Sequence, residues 1–407
     1  MSSESNSPPQ NLDGDLDNLM WEFMNDPFEA EIQAEIDAEI EEDIEASIGV
    51  DLAATSNQAA KKRYIDRNRE DANKRLEADY FCSNPVYTDV QFRRRYRMRM
   101  HLFLHIVHNL GEWSPYFRQR RDAFGKQGFS PLLKCTAAMR MLAYGTPADA
   151  LDEGLRIAES TTIECLTTFS KGIREIFGAQ YLRRPTENDI RRLLHVGETR
   201  GFPGMLGSLD CMHWNWKNCP VAWKGQYTRG DIKKPTIMLE AVASHDLWIW
   251  HAYFGVPGSN NDINVLNQSP LFTNILQGRA PPTQFTVNGN QYNMGYYLAD
   301  GIYPEWATFV KTIPLPYSAK HKLFAKRQEA ARKDVERAFG VLQARFAILR
   351  GPARLWSDET LADIMYACII LHNMIVEDER DSYQVRFNDN EPYDISSENE
   401  HYEQGTS

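Results

Sequence analysis

Apolar residues first recur with a fixed period at Ile32, Ile36, Ile40, Ile44 and Ile48, every fourth position on an acidic background. Helical geometry places such a series on one slowly drifting stripe. It suits either a solvated, part-formed helix or an acidic docking helix for a partner protein. Before it, residues 1–28 are polar and aperiodic and read as disordered. From about 90 to 200 the pattern is helical. QFRRRYRMRM (91–100) puts Phe92, Tyr96 and Met100 on an i, i+4 face among arginines. PLLKCTAAMRMLAYG (131–145) has Ser130 as N-cap, Pro131 at an allowed helix start and Gly145 as its end. PADALDEGL forms a shorter segment and a third helix begins at Ser160, the order of a helix-turn-helix unit. Few basic residues open that third helix, so the unit reads equally as a DNA contact or a structural bundle.

Near residue 201 the texture changes. MLGSLDCMHWNWK, TIMLEAVASHD (236–246) and LWIWHAYFGVPGS (247–259) are apolar runs of strand length, with His245-Asp246 as a hairpin turn between the last two. NDINVLNQSPLFTNIL reads as one helix with Asp262 at or near its start. A polar stretch (278–295) leads to YYLADGIYP, a short strand ending in Asp300 and Gly301. The segment SAKHKLFAKRQEAARKDVERAFGVLQARFAIL predicts a long helix with Val335, Ala338, Phe339, Leu342 and Phe346 as its apolar face. A last helix, DETLADIMYACIILHNMIVEDE, is apolar enough to belong in the core. Three strands, a helix, a further strand and then helices predict an α/β fold, a mixed sheet flanked by helices on both faces.

Charge sharpens these boundaries. The 407 residues carry a net charge of −11, yet residues 1–60 hold 16 acidic residues and no Lys or Arg. Residues 377–407 hold 10 acidic residues and 2 Arg, which leaves the middle of the chain at +13. A basic body between acidic tails is compatible with a polyanion partner. KKRYIDRNREDANKR (61–75), with seven basic residues, suits a nuclear import signal, a phosphate-contacting arm or a solvated linker. The chain thus divides into an acidic segment 1–60, a basic linker or arm 61–89, a helical domain 90–200, a mixed-sheet domain 201–376 and an acidic tail 377–407. No signal peptide and no bilayer-spanning run is read, and six scattered cysteines without CxxC spacing suit reduced thiols in an intracellular protein.

Three carboxylates stand in unfavourable settings. Asp210 lies inside a strand in the apolar frame GSLDCMHW, and Asp300 ends a later strand. Glu336 sits at the border of a helical apolar stripe. A buried carboxylate costs several kcal/mol unless it is paired or bound to a cation. Each has a bland alternative, since strand aspartates often serve as caps or ion pairs and helix glutamates are usually solvated. Brought together, the three would repel strongly, and oxygen-only ligands that need a cation suit Mg²⁺ or Mn²⁺. Cys211, His213 and Cys219 lack a fourth ligand at zinc spacing.

GSLDCMHW, PGSNND (257–262), LADGIYP (298–304) and DVERAFGVLQARF (334–346), in that order, resemble the PIF/Harbinger superfamily of DDE transposases and derived nucleases. WKNCPVAWKGQY (216–227) looks like its plant members. Where other members carry Gly-Thr-His after the first Asp, Cys211 and Met212 precede His213 here. The resemblance covers about 90–376 and implies an RNase H-like catalytic core. Asp210, Asp300 and Glu336 fall on the family's triad positions, the last two separated by 35 residues. Asp262 falls on a further family acid, a helix cap or a fourth metal ligand. His213 is left to contact phosphate, orient Asp210 or pack in the core.

The resemblance implies a divalent-metal-dependent nuclease that cleaves or joins DNA phosphodiester bonds, with Mg²⁺ or Mn²⁺ as cofactor. The alternative is a domesticated, non-catalytic chromatin adaptor. Lys322, Lys326, Arg327, Arg332 and Lys333, leading into the Glu336 helix, are candidates for phosphate contacts, or else a solvated helix face. Expected partners are DNA and a Myb/SANT-like protein, with no membrane, a nuclear location, and self-association left open.

Overall fold

The structure, a computed structural model, describes residues 65 and 67–384 apart from 122, 124 and 278–282. The isoleucine stripe at 32–48 and the residues 61–64 and 66 of the basic cluster lie outside the described residues.

The helical region opens earlier than the composition suggested. Helix α1 (Arg69–Leu76) runs into a π-helical turn, Glu77–Phe81. Ala72, Leu76 and Tyr80 are buried in the core, so the expected linker is folded from residue 67 onward, where Arg67 pairs with Asp152 at 2.5 Å. Helix α2 (Asp89–Tyr96) starts with a capping box of Thr88 and Gln91 and buries Phe92 against Tyr96, rings 4.1 Å apart. Arg97 is left-handed and ends it, so Met100 opens the next helix, α3 (Met100–Trp113), instead of extending the same face. Ser130 caps α4 (Pro131–Tyr144) through the Leu133 N–H, and Gly145 closes it with a left-handed C-cap. The short α5 (Ala150–Leu155) and the long α6 (Glu159–Tyr181) complete the expected helix-turn-helix order. Cys165, Leu166, Phe169 and Ile173 bury one face of α6 in the bundle. Helix α7 (Glu187–Thr199) leads to the sheet.

The sheet is five-stranded and mixed, in the order β3-β2-β1-β6-β7. Strand β1 (Met205–Asn215) pairs antiparallel with β2 (Thr236–Ala243), and β2 with β3 (Ile249–Pro257). A four-residue helix, α8 (Lys224–Tyr227), lies in the β1–β2 connection, and the β2–β3 turn falls at His245-Asp246 as expected. Gly258 follows β3, and a Cβ there would sit 1.8 Å from Thr236 Oγ1, so only glycine allows this approach. The segment expected as one helix is two, α9 (Asp262–Gln268) and α10 (Pro270–Leu276), because Pro270 has no N–H to continue the first. A two-stranded hairpin, β4 (Phe285–Val287) with β5 (Asn290–Tyr292), occupies the polar stretch. The short β6 (Tyr296–Leu298) and β7 (Phe309–Val310) then run parallel to β1.

The long helix expected near the C-terminus is also two, α11 (Ala319–Arg332) and α12 (Asp334–Arg345), broken at Lys333. Asp334, the residue after the break, is wholly buried. Helix α13 (Asp358–Gln384) is long and apolar enough to cross a membrane by composition, but Leu361, Ile364, Met365, Cys368 and Ile369 are buried in the core. It runs eight residues into the segment expected as an acidic tail. Glu379 is buried there and bonds Arg93. The rest of the tail lies outside the described residues. Helix α12 covers one sheet face and α9 the other, and one apolar cluster runs from the helical region through α12 and α13. This is the mixed α/β fold expected, with the strand order and directions of an RNase H-like nuclease core.

Candidate metal centre

Alternation along β1 decides which way Asp210 faces. Ser208, on the same side, donates to the Ala331 carbonyl at 3.0 Å and so ties β1 to the last turn of α11. Asp210 therefore faces the α11–α12 junction, while Leu209 and Cys211 face the α9 side. In the parallel β1–β6 pair, Ser208 stands opposite Leu298. Two residues beyond that pair, along the same direction, come Asp210 and Asp300. Two aspartates 90 positions apart thus follow the same end of two adjacent strands in the middle of the sheet.

Gln328 holds the Asp300 corner. Fully buried, its Nε2 donates to the carbonyls of Ala299 at 3.2 Å and Val310 at 3.0 Å. Asp300 itself is exposed, and its Oδ1 accepts the Gly301 N–H at 2.5 Å. Glu336 lies in the first turn of α12 and is also exposed. Between Asp210 and Glu336 stands Arg332, whose Nη1 is 2.8 Å from Glu336 Oε1 and 3.5 Å from Asp210 Oδ2. Its side chain is only 18 % exposed, so of the five expected phosphate contacts this one already engages carboxylates. Lys322, Lys326, Arg327 and Lys333 are exposed.

Burial pushes the Asp210 carboxyl up to about 6, against the Cys211 N–H and Arg332, with Asp262 and Glu336 adding repulsion. Asp262 is raised by burial, then relieved by the Cys211 thiol and repelled by Asp300. Asp210 thus lies in the fields of Asp262 and Glu336, and Asp262 in that of Asp300. Asp262 is not the helix cap. That role belongs to Asn261, whose Oδ1 accepts the Asn264 N–H at 2.9 Å. His213 turns away from Asp210 and bonds Thr236 Oγ1 at 2.9 Å; burial lowers it to about 4, so it is neutral near pH 7. Cys219 is buried and Cys211 meets the Tyr303 hydroxyl at 3.6 Å, so no zinc set forms from them.

Among the described residues, no three His, Cys, Asp or Glu side chains converge closely enough to hold a metal ion. The donor chemistry nevertheless fits a hard cation, being all oxygen, mutually repelling and partly desolvated. Arg332 supplies the positive charge between two of these carboxylates. Sequence reading missed the parts played by Gln328 and Arg332. Their signal was present as a polar i, i+4 series, Gln328, Arg332 and Glu336, crossing an otherwise mixed helix.

Residues 179–383 match the family model described as plant transposon protein, half of the chain. The chain belongs to this Harbinger-like, transposase-derived nuclease family. Residues 73–111 match a domain family of unknown function. Among curated relatives, "Protein ALP1-like" of Arabidopsis thaliana is 23 % identical over 258 residues, 60 % of this chain and 61 % of that protein. "Putative nuclease HARBI1" of Xenopus laevis is 24 % identical over 267 residues, 64 % of this chain and 72 % of that one. Its Mus musculus namesake is 22 % identical over 257 residues, covering 62 % and 69 %. No solved structure matches.

Proposed function

We propose that this Harbinger-like chain is a divalent-metal-dependent DNA endonuclease or strand-transfer enzyme. Asp210, Asp300 and Glu336, with Asp262 beside them, would hold Mg²⁺ or Mn²⁺. The observation that supports this reading is the parallel β1–β6 pairing, after which come Asp210 and Asp300, together with Arg332, which bridges Asp210 to Glu336. A divalent ion bound there supplies Lewis acidity toward a water or 3′-hydroxyl and toward the leaving phosphodiester oxygen. The chain's own residues do the rest. Ser208 ties β1, and Gln328 the backbone just before Asp300, to α11, and Arg332 offsets part of the repulsion between Asp210 and Glu336. The exposed Lys322, Lys326, Arg327 and Lys333 offer positive charge to the DNA backbone. A nuclear location and recruitment by a Myb/SANT-like protein belong to the same proposal.

One observation favours the non-catalytic adaptor. Arg332 already engages Asp210 and Glu336, a partner that a site kept only for binding could retain in place of a metal. The readings separate on nicking of DNA carrying terminal inverted repeats with Mg²⁺ or Mn²⁺. Asp210→Asn and Glu336→Gln should each slow it by at least about 10³-fold, roughly 4 kcal/mol. Nicking by both variants at the wild-type rate would rule out the proposed chemistry. Calorimetric titration with Mn²⁺ adds a second criterion: saturable binding lost in Asp300→Asn excludes the adaptor.

A further inference from the structure

Between β1 and β2 the chain leaves the sheet for residues 216–235, an excursion the carboxylate chemistry does not need. Trp216 anchors it. The indole is buried, packs 5.0 Å from the Tyr227 ring, and donates from Nε1 to the Leu355 carbonyl at 2.9 Å. The neighbouring backbone joins the same second loop, Lys217 N–H to the Ala353 carbonyl at 3.0 Å and Asn218 Nδ2 to the Arg354 carbonyl at 2.5 Å. Two loops distant in sequence therefore form one surface.

That surface is both basic and aromatic. Residues 217–235 hold five Lys or Arg against one Asp, and 350–357 add Arg350 and Arg354 with no acid. Trp356 is 67 % exposed and Trp223 38 % exposed, two indole faces open to solvent among the basic side chains. Lys217, Lys224, Lys233 and Lys234 are exposed and make no ion pair among the described residues. The excursion leaves β1 at Trp216, six residues after Asp210, and returns to β2 at Thr236, which bonds His213 at 2.9 Å, so it hangs from the strand that carries the first carboxylate.

We infer that these two loops form a DNA-holding surface in which the exposed Trp223 and Trp356 indoles take unpaired bases while the four lysines take backbone phosphates. Stacking on an indole is open to any base, and a positive collar tracks the backbone, the pairing of features that holds single strands. The cost of splaying bases is lowest at a nick or a frayed end, where a neighbouring nuclease site acts. This inference rests on the proposal that the chain acts on DNA, but it concerns binding and needs no metal.

The test uses the full chain in EDTA with fluorescently labelled single-stranded, forked and duplex oligonucleotides, read by anisotropy over a salt series. Trp356→Ala, exposed enough to leave the fold alone, should weaken single-stranded and forked DNA about tenfold and duplex much less. Replacing the four lysines with Gln should flatten the slope of log affinity against log salt by about 3. Wild-type affinities and slopes in both variants overturn the inference and leave the surface to a protein partner. Loss in the lysine variant with Trp356→Ala unaffected on every DNA overturns it as well. A nuclease that still depends on Asp210 while these loops prove silent keeps the catalytic proposal. Loops that bind while Asp210→Asn nicks at full rate keep only this one.

Discussion

Asp210, which faces Arg332 at the end of α11, and Asp334, which opens α12, both have little access to solvent, yet the fold treats them in opposite ways. Asp334 is wholly buried and meets Arg200 at 2.5 Å, Arg337 and, at 3.7 Å, His245. Burial alone would raise it, but these partners hold its carboxyl down to about 2. Asp210 has the Cys211 N–H and a guanidinium 3.5 Å away, and burial leaves its carboxyl up at about 6. A structural aspartate is saturated with cations drawn from several elements. Asp210 is left short of positive charge, which is the condition that favours binding a further cation.

Breaking the saturated node should produce the largest effect. Asp334→Ala leaves Arg200 and Arg337 without their carboxylate and should cost about 3–5 kcal/mol in urea unfolding. Asp210→Asn removes a desolvated charge and should cost less than about 1 kcal/mol, or stabilise the metal-free protein. Equal losses in the two variants would erase the contrast.

The pH dependence should separate the pair next. Asp210 is raised in the fold, so its contribution is present below about 3.9, the unfolded value, and is lost as pH rises through about 6. Metal-free stability should therefore fall by about 2–3 kcal/mol from this group across that window, and Asp210→Asn should remove the fall. Asp334 is lowered, so its contribution is present above about 3.9 and is lost as pH drops through about 2. Urea midpoints in EDTA between pH 4 and pH 7 read the Asp210 limb, and a flat wild-type profile contradicts its assignment.

Arg332 tests whether the shortage at Asp210 is reserved for a metal. Arg332→Met removes the resident charge and should tighten Mn²⁺ binding about tenfold by calorimetry, roughly 1.4 kcal/mol. Unchanged affinity would mean that Arg332 does not compete for those oxygens. The smallest effects belong to the exposed cations of α11. Lys322→Gln and Lys326→Gln should move stability by less than about 0.5 kcal/mol while each lowers the salt slope of DNA binding by about 0.9. A stability loss near that of Asp334→Ala would show that these side chains are structural.

Much was legible in the chain itself. Local rules set the Ser130 cap, the Gly145 stop, the turn at His245-Asp246 and the strand textures around Asp210 and Asp300, because each depends on neighbours within a few residues. The spacing of the acidic motifs carried the family. What local rules could not give is the partner of each charge. Arg200 reaches Asp334 across 134 positions, and Gln328 spans 29 to pin the corner before Asp300. The break at Pro270 follows a local rule, proline's missing N–H, whereas nothing local marks the break at Lys333, where helical periodicity runs on. The sequence determined which carboxylates stand in apolar frames. Only the tertiary structure decided that Asp334 is neutralised and Asp210 is not, because electrostatic shortage depends on distances between elements that the chain order does not contain.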